Sequence, residues 1–257
     1  DKNEKDLLKI SENKDLLIIQ IVQYKSSSTS LDNLKIDDLN LKNEALNVTG
    51  NSDTRILWNG PSNWLLVSNK KELLKEVVTK FDEYIKSLEI QLLIKPASKI
   101  TIPRIAQMTQ KTNQFNLTTK RYNEDDIRQL IANNYKIFTL EVSDKFGEQG
   151  ITGLIILNLG RIDQSVSIES LLLSCRILGK KIEFEFVKFV LSKMRKAGYT
   201  KAIGKYIKSD RNEQVKDFYD KLGFSSLEEG QEDKLEKDYC YSLEKPGMVL
   251  SENYKIK

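Results

Sequence analysis

Arg176, Gly179, Lys180 and Lys181 stand in one short run, Arg-Ile-Leu-Gly-Lys-Lys, between an apolar stretch and an amphipathic one. A strand, a glycine-bearing basic turn and a helix start, in that order, aim backbone N–H groups, the positive end of a helix dipole and two ammonium groups at one anion. A pyrophosphate suits such a site. Further on, Asn212 precedes the pattern Phe-Tyr-x-x-Leu-Gly-Phe, which places the Tyr219 hydroxyl deeper in the same cleft. Each feature also has a plainer use: a surface turn needing Gly179 for its backbone, a helix cap at Asn212, a core aromatic at Tyr219. The chain contains no histidine. Ser-His-Asp hydrolysis, Cys-His chemistry and histidine-ligated zinc are therefore excluded, and carboxylates, tyrosine, serine, lysine, cysteine or backbone donors must carry any catalysis.

The elements that must position these groups follow from periodicity. LLIIQIVQY (16 to 24) reads as a strand, and RILWNGPSNWLLVS (55 to 68) as a hairpin around Asn59-Gly60-Pro61-Ser62. Leu73, Leu74, Val77, Val78, Phe81, Tyr84, Ile85 and Leu88 recur at three and four, as one helix face requires. The pattern changes at Glu89, so a domain boundary is expected near 85 to 90, giving modules at 1–84 and 85–257. EIQLLIKPA is then a strand, and a helical period begins at Ile100. Asn123 is the expected N-cap of a following helix, with Asp126 at its third position. Two strands joined by a glycine-bearing hairpin come next, then a strand over 165 to 175, a helix stopped by Gly198, a strand at TKAIGKYIK, a helix stopped by Gly223, and a last strand at DYCYSLE. Strands and helices alternating in this way predict an α/β sheet with mixed pairing.

The 39% hydrophobic and 30% charged content over 257 residues suits a globular chain with a real core. No apolar run approaches the roughly 18 residues that span a bilayer, and the start, DKNEKDLLKISENK, has no secretory apolar core, so neither a membrane span nor a retained signal is expected and a cytoplasmic location is the default. The net charge of +4, from 41 basic and 37 acidic residues spread along the chain, describes a solvated surface rather than a nucleic-acid footprint. Cys175 and Cys240 are read as ordinary thiols.

RIAQMTQKTNQFNLTTKRY (104 to 122), DKFGEQGITGLI (144 to 155), SLLLSCRILGKKIE (170 to 183) and the closing Asn212-to-Phe224 pattern closely resemble the C-terminal, acetyltransferase-like domain of FkbH-like proteins, which belongs to the GNAT fold. The resemblance covers residues 84 to 245. It implies a GNAT-type mixed, mostly antiparallel sheet flanked by helices, preceded here by a small α+β module. It also implies acetyl-CoA or another acyl-CoA, or the phosphopantetheine of a carrier protein, lying where strands 165–175 and 201–207 splay apart, with no metal. By position, Arg176, Leu178, Gly179, Lys180 and Lys181 would hold the pyrophosphate, and Asn212 would contact the pantetheine arm. Backbone amides near Leu172 and Leu173 would polarise the thioester carbonyl. Tyr219 would protonate the leaving thiolate, and Glu169, on the strand leading into the turn, would be the general base; the same carboxylate could simply be solvated or ion-paired. Lys181 departs from the Gly or Ala usual at that point of the turn. In FkbH-like proteins a HAD-type phosphatase and loading domain normally precedes this one; residues 1 to 88 hold no Asp-rich HAD nucleophile motif, so that chemistry is not implied.

The polar stretch KTNQFNLTT has two readings that stay open: a cleft-facing loop anchored by Phe115 that recognises acceptor or carrier, or a hydrogen-bonded connector between two helices. Residues 1–83, chiefly through RILWNGPSNWLLVS, resemble the small gamma subunit of heterotetrameric sarcosine oxidase, a noncatalytic assembly module; Trp58 and Trp64 are then expected in a hairpin core. Two functions follow from these resemblances. One is acyl transfer to a small-molecule amine or hydroxyl acceptor; the other is noncatalytic docking of an acyl carrier protein or its arm within a larger assembly. Oligomerisation is an open expectation, and neither nucleic acid nor membrane is an expected partner.

Overall fold

The computed structural model describes residues 17–20, 55–57, 64–68, 82–160, 163–227, 235–244 and 248–257. The chain divides into two compact units, Asp1–Glu89 and Ile90–Lys257. In the first, β1 (Leu17–Gln20), β2 (Arg55–Leu57) and β3 (Trp64–Ser68) form a three-stranded antiparallel sheet with β3 in the middle. The expected hairpin is there, in the register Arg55↔Ser68, Ile56↔Val67, Leu57↔Leu66. Residues 82–87 are helical, the described end of the helix read over 71–88. The rest of that helix, and the side chains of Trp58 and Trp64, lie outside the described residues.

The second unit is built on one nine-stranded sheet. Its elements are β4 (Gln91–Pro96), α1 (Ile102–Lys111), β5 (Phe115–Asn116), α2 (Glu124–Ala132), β6 (Tyr135–Asp144), β7 (Gly147–Leu159), β8 (Ser165–Leu173), α3 (Ile182–Lys196), β9 (Lys201–Ile207), α4 (Phe218–Lys221), β10 (Ser225–Ser226), β11 (Glu236–Ser242) and β12 (Lys255–Ile256). The strand order is β10-β11-β9-β8-β7-β6-β4-β12, with β5 added against β8. Only β8–β9 and β4–β12 are parallel; the other pairs run antiparallel. This is the mixed, mostly antiparallel sheet flanked by helices that the sequence predicts.

Local chemistry explains the helices. Asn123 caps α2: its side chain accepts from Asp126 N at 2.9 Å, and the Asp126 carboxylate accepts from Asn123 N at 2.7 Å. That reciprocal pair satisfies two N–H groups a helix start leaves open. The apolar face of α1, Ile102, Ile105, Ala106 and Met108, packs with Ile127 of α2 onto Ile137, Leu154, Ile156 and Leu172. Parallel strands cannot be joined by a tight turn, and α3 supplies the crossover between β8 and β9. It buries Ile182, Phe186, Val187, Val190, Leu191 and Met194. Glu183 and Glu185 in its first turn, with Lys193, Arg195 and Lys196 in its last, complement the helix dipole. The helix expected over 212–223 is instead a 3-10 turn, Glu213–Val215, followed by the four residues of α4.

Candidate functional site

The site begins with a bulge. In the β7–β8 ladder Leu157 opposes Ile168 and Ile156 opposes Ser170, which leaves Glu169 as an extra residue in β8. A bulge bends its strand, and the parallel pairing of β8 with β9 stops at this point, Ile168↔Gly204 being its last pair. Beyond Glu169 the two strands part, the splay expected between 165–175 and 201–207.

The splay is filled by the chain itself. Strand β5 pairs antiparallel with the diverging half of β8, Phe115 opposite Leu173 and Asn116 opposite Leu172. Leu117 N donates to Leu171 O at 3.2 Å, and Leu117 O accepts from Ile207 N of β9 at 2.8 Å. The Thr118 hydroxyl donates to Glu169 O at 3.1 Å. Leu172 and Leu173, expected to offer backbone amides to a ligand, are fully buried and paired with β7 on one side and β5 on the other. Asn212 is likewise buried and fully used. Its Nδ2 donates to Asn116 O at 2.9 Å and to Ile207 O at 2.8 Å, while its Oδ1 accepts from Ser209 N at 2.8 Å and from the Tyr206 hydroxyl at 3.3 Å. An amide has two protons to give, so the contact expected between Asn212 and a pantetheine arm is replaced by a staple joining β5 to β9. Asn212 sits at the cap position of the 3-10 turn without making a side-chain cap bond.

The turn between β8 and α3 is where the sequence places it. Gly179 adopts φ +83° and Lys181 φ +56°, so a residue with a Cβ at 181 carries backbone strain, and this explains physically why Gly is favoured there. Arg176 is exposed, and Leu178 is half-buried. Lys180 does not point its charge at an open anion site: its Nζ lies 3.5 Å from the buried carboxylate of Asp144 at the end of β6, and its carbonyl accepts from the Tyr254 hydroxyl. Ser251 N also donates to Glu185 at 2.8 Å, so the C-terminal segment straps the start of α3.

At the N-terminus of α3 the chain supplies its own buried carboxyl group. The Glu183 Oε2 is buried without a hydrogen-bond partner. Burial pushes its carboxyl up to about 7 from 4.5, against the lowering effects of its own backbone amide and of Lys221 and Lys181. A folded-state acid weaker than the unfolded one still holds a proton that the unfolded chain has released. Stability should therefore fall as pH rises from about 4.5 to 7, by on the order of 3 kcal/mol. Glu183→Gln should remove most of that slope and leave the protein more stable by about 2 kcal/mol near pH 8, measured by urea unfolding across the range. Equal slopes in both proteins would contradict this account.

Tyr219 lies at the apex of the splay. Its ring covers Gly204, the β9 residue opposite Ile168, so closely that a Cβ on Gly204 would sit 2.4 Å from Cε1. Phe224 and Tyr239 flank the ring with centroids at 5.1 Å, and Phe218 at 5.8 Å. Phe218 in turn stacks on Phe184 of α3 at 5.3 Å and meets Phe115 edge-on at 5.2 Å. The Tyr219 hydroxyl is buried with no hydrogen-bond partner at full geometry; burial raises its pKa against the opposing effect of the Lys205 backbone amide, keeping it protonated with no acceptor for its proton.

Glu169 is ion-paired with Lys120. Beside it lies the Tyr122 hydroxyl, held neutral first by burial and then by the charge of that carboxylate. The fold thus brings Glu169, Tyr219, Leu172, Leu173 and Asn212 to one splay, with the turn 176–181 at its open end. Sequence reading missed Lys120, Tyr122, Glu183 and Gly204; the only advance signal was that the first two follow the polar stretch KTNQFNLTT, in which Asn116 stands. Among the described residues no cluster of three or more His, Cys, Asp or Glu could hold a metal ion, and no helix is long and apolar enough to cross a membrane.

No protein-family model matches the sequence, and no curated protein matches it either. Several solved structures are similar. One is the ribosomal-protein-S18-alanine N-acetyltransferase of Escherichia coli, at 10% identity and TM-score 0.47, over 63% of this chain and 99% of that one. A second is the spermidine N-acetyltransferase of Vibrio cholerae in complex with CoA and spermine, at 15% identity and TM-score 0.45, over 60% and 97%. A third is an acetyltransferase of the GNAT family from Staphylococcus aureus, at 11% identity and TM-score 0.43, over 59% and 99%.

Proposed function

We infer that residues 85–257 form a GNAT-type acyltransferase domain that moves an acyl group from an acyl-CoA or a carrier-protein thioester to an amine or hydroxyl of a small-molecule acceptor. The observation that carries this reading is the Tyr219 hydroxyl, buried and without a partner at the apex of the β8–β9 splay. An orphaned buried hydroxyl is costly, so a group that completes it is expected there. The thioester supplies an activated carbonyl and a sulfur leaving group. Tyr219 holds its proton at Oη, within reach of such a sulfur at the apex, and Glu169 accepts a proton from the acceptor nucleophile once Lys120 is drawn aside. Arg176 and the backbone of the turn through Lys181 form the mouth that receives the phosphates. The N-terminal module serves assembly.

A second reading, a noncatalytic module that docks a carrier protein or its arm, is favoured by one observation: the β8 edge is already paired by β5. Calorimetric titration with acetyl-CoA and with a phosphopantetheinylated carrier protein, paired with a thiol-release assay against a panel of amines, separates the two. Saturable binding with thiol release supports transfer. Binding without release supports docking, and the absence of binding to either ligand removes both.

A further inference from the structure

The bonds that fill the splay have a common logic. A β-strand that bends away from its neighbour exposes unpaired N–H and C=O groups, which must be satisfied or hydrated. Four consecutive residues pair the diverging edge of β8: Phe115 and Asn116 by strand pairing, Leu117 by one bond to each of β8 and β9, and Thr118 by its hydroxyl. Asn116 and Leu117 are fully buried, Phe115 and Thr118 nearly so. Two buried asparagines are expensive unless paired; Asn212 Nδ2 donates to the Asn116 backbone carbonyl, and Asn116 Oδ1 accepts from Thr118 N and Thr119 N. Phe115 then joins the contact between α3 and α4 through Phe218, which stacks on Phe184. An extended thioester arm with its amides along β8 needs that same edge.

We propose that residues 115–118 are an internal pseudo-ligand, a strand that occupies the thioester slot and must leave it for an acyl-thioester arm to enter. This rests on the acyl-thioester reading above. The segment continues into Lys120, whose ammonium pairs with Glu169, so its departure also uncovers the carboxylate: the thioester binds first and the base is released second. The latch is Asn212, which ties the strand to β9 through one side chain. Affinity for the arm is then reduced by the small fraction of molecules in which the slot is open.

The test is hydrogen–deuterium exchange of the full chain with and without coenzyme A, together with titration of the wild type, Asn212→Ala and Thr118→Val with coenzyme A and with a phosphopantetheinylated carrier protein. On binding, the amides of Leu117 and Ile207, which bond across the filled splay, should lose protection. Weakening the latch raises the open fraction, so Asn212→Ala should bind about tenfold more tightly and Thr118→Val about threefold. Thr118→Val keeps the side-chain shape and serves if Asn212→Ala fails to fold. Coenzyme A binding with Leu117 and Ile207 still protected, or with unchanged or weaker affinity in a folded variant, overturns the pseudo-ligand and leaves the transfer reading standing. No binding of coenzyme A or of a phosphopantetheinylated carrier protein by the wild type or either variant overturns both.

Discussion

Tyr219→Phe should yield a protein at least as stable as the wild type that has lost acyl transfer by about 10²- to 10⁴-fold in kcat. The two halves of this expectation come from the same atom. The Oη is buried without a partner, and an unsatisfied buried hydroxyl costs about 1–3 kcal/mol, so deleting it should be neutral or stabilising. The ring contacts with Phe224 and Tyr239 survive the change. On the acyl-transfer reading, the leaving sulfur loses its proton donor. Urea unfolding and a steady-state thiol-release assay on the same preparation read both quantities. A variant that loses stability and activity together would make Tyr219 an ordinary core residue; a stable variant with full activity would remove it from the reaction.

Gly204→Ala should destabilise the second unit by about 3 kcal/mol, a large effect for one methyl group. The added Cβ would lie 2.4 Å from Tyr219 Cε1 and 2.5 Å from Cζ. The ring cannot retreat, since Phe218, Phe224 and Tyr239 close its other sides, and in a close-packed interior such overlap is relieved only by moving backbone. Tyr219→Phe keeps the offending ring atoms and should not rescue Gly204→Ala. Tyr219→Leu removes them, and the pair should recover at least about 1 kcal/mol relative to the sum of the single changes, read by urea unfolding. Strict additivity would show that the glycine is needed for some reason other than this ring.

The parts of the molecule legible in the sequence share a property: their signals are local. The Asn123–Asp126 capping box closes within one turn and was read from four residues. The strand β8 and the crossover helix α3 have apolar periods long enough to outweigh their neighbours, and the hairpin of β2 and β3 and the basic turn are marked by turn residues between apolar runs. What escaped has no period. Strand β5 is two residues long, shorter than any alternation, and exists only because β8 bends away and leaves an edge to pair with. The bulge at Glu169 depends on how two strands fall into register, which neither strand contains alone. Asn212, sensible as a helix cap or as a ligand contact, became neither because Asn116 arrived from 96 positions away. Lys180, counted toward an anion site, was claimed by Asp144 in another strand.

The amino-acid sequence by itself determined the order of the longer elements in residues 85–257, the basic turn before α3, the tyrosine after β9 and, through the absence of histidine, the kinds of catalysis to set aside. Tertiary structure alone decided what stands in the slot those elements create. Periodicity and capping are governed by neighbours within a turn or two of chain, whereas the pairing of a bent strand's open edge is settled by whichever distant donor and acceptor can reach it, and here the chain's own residues 115–118 do.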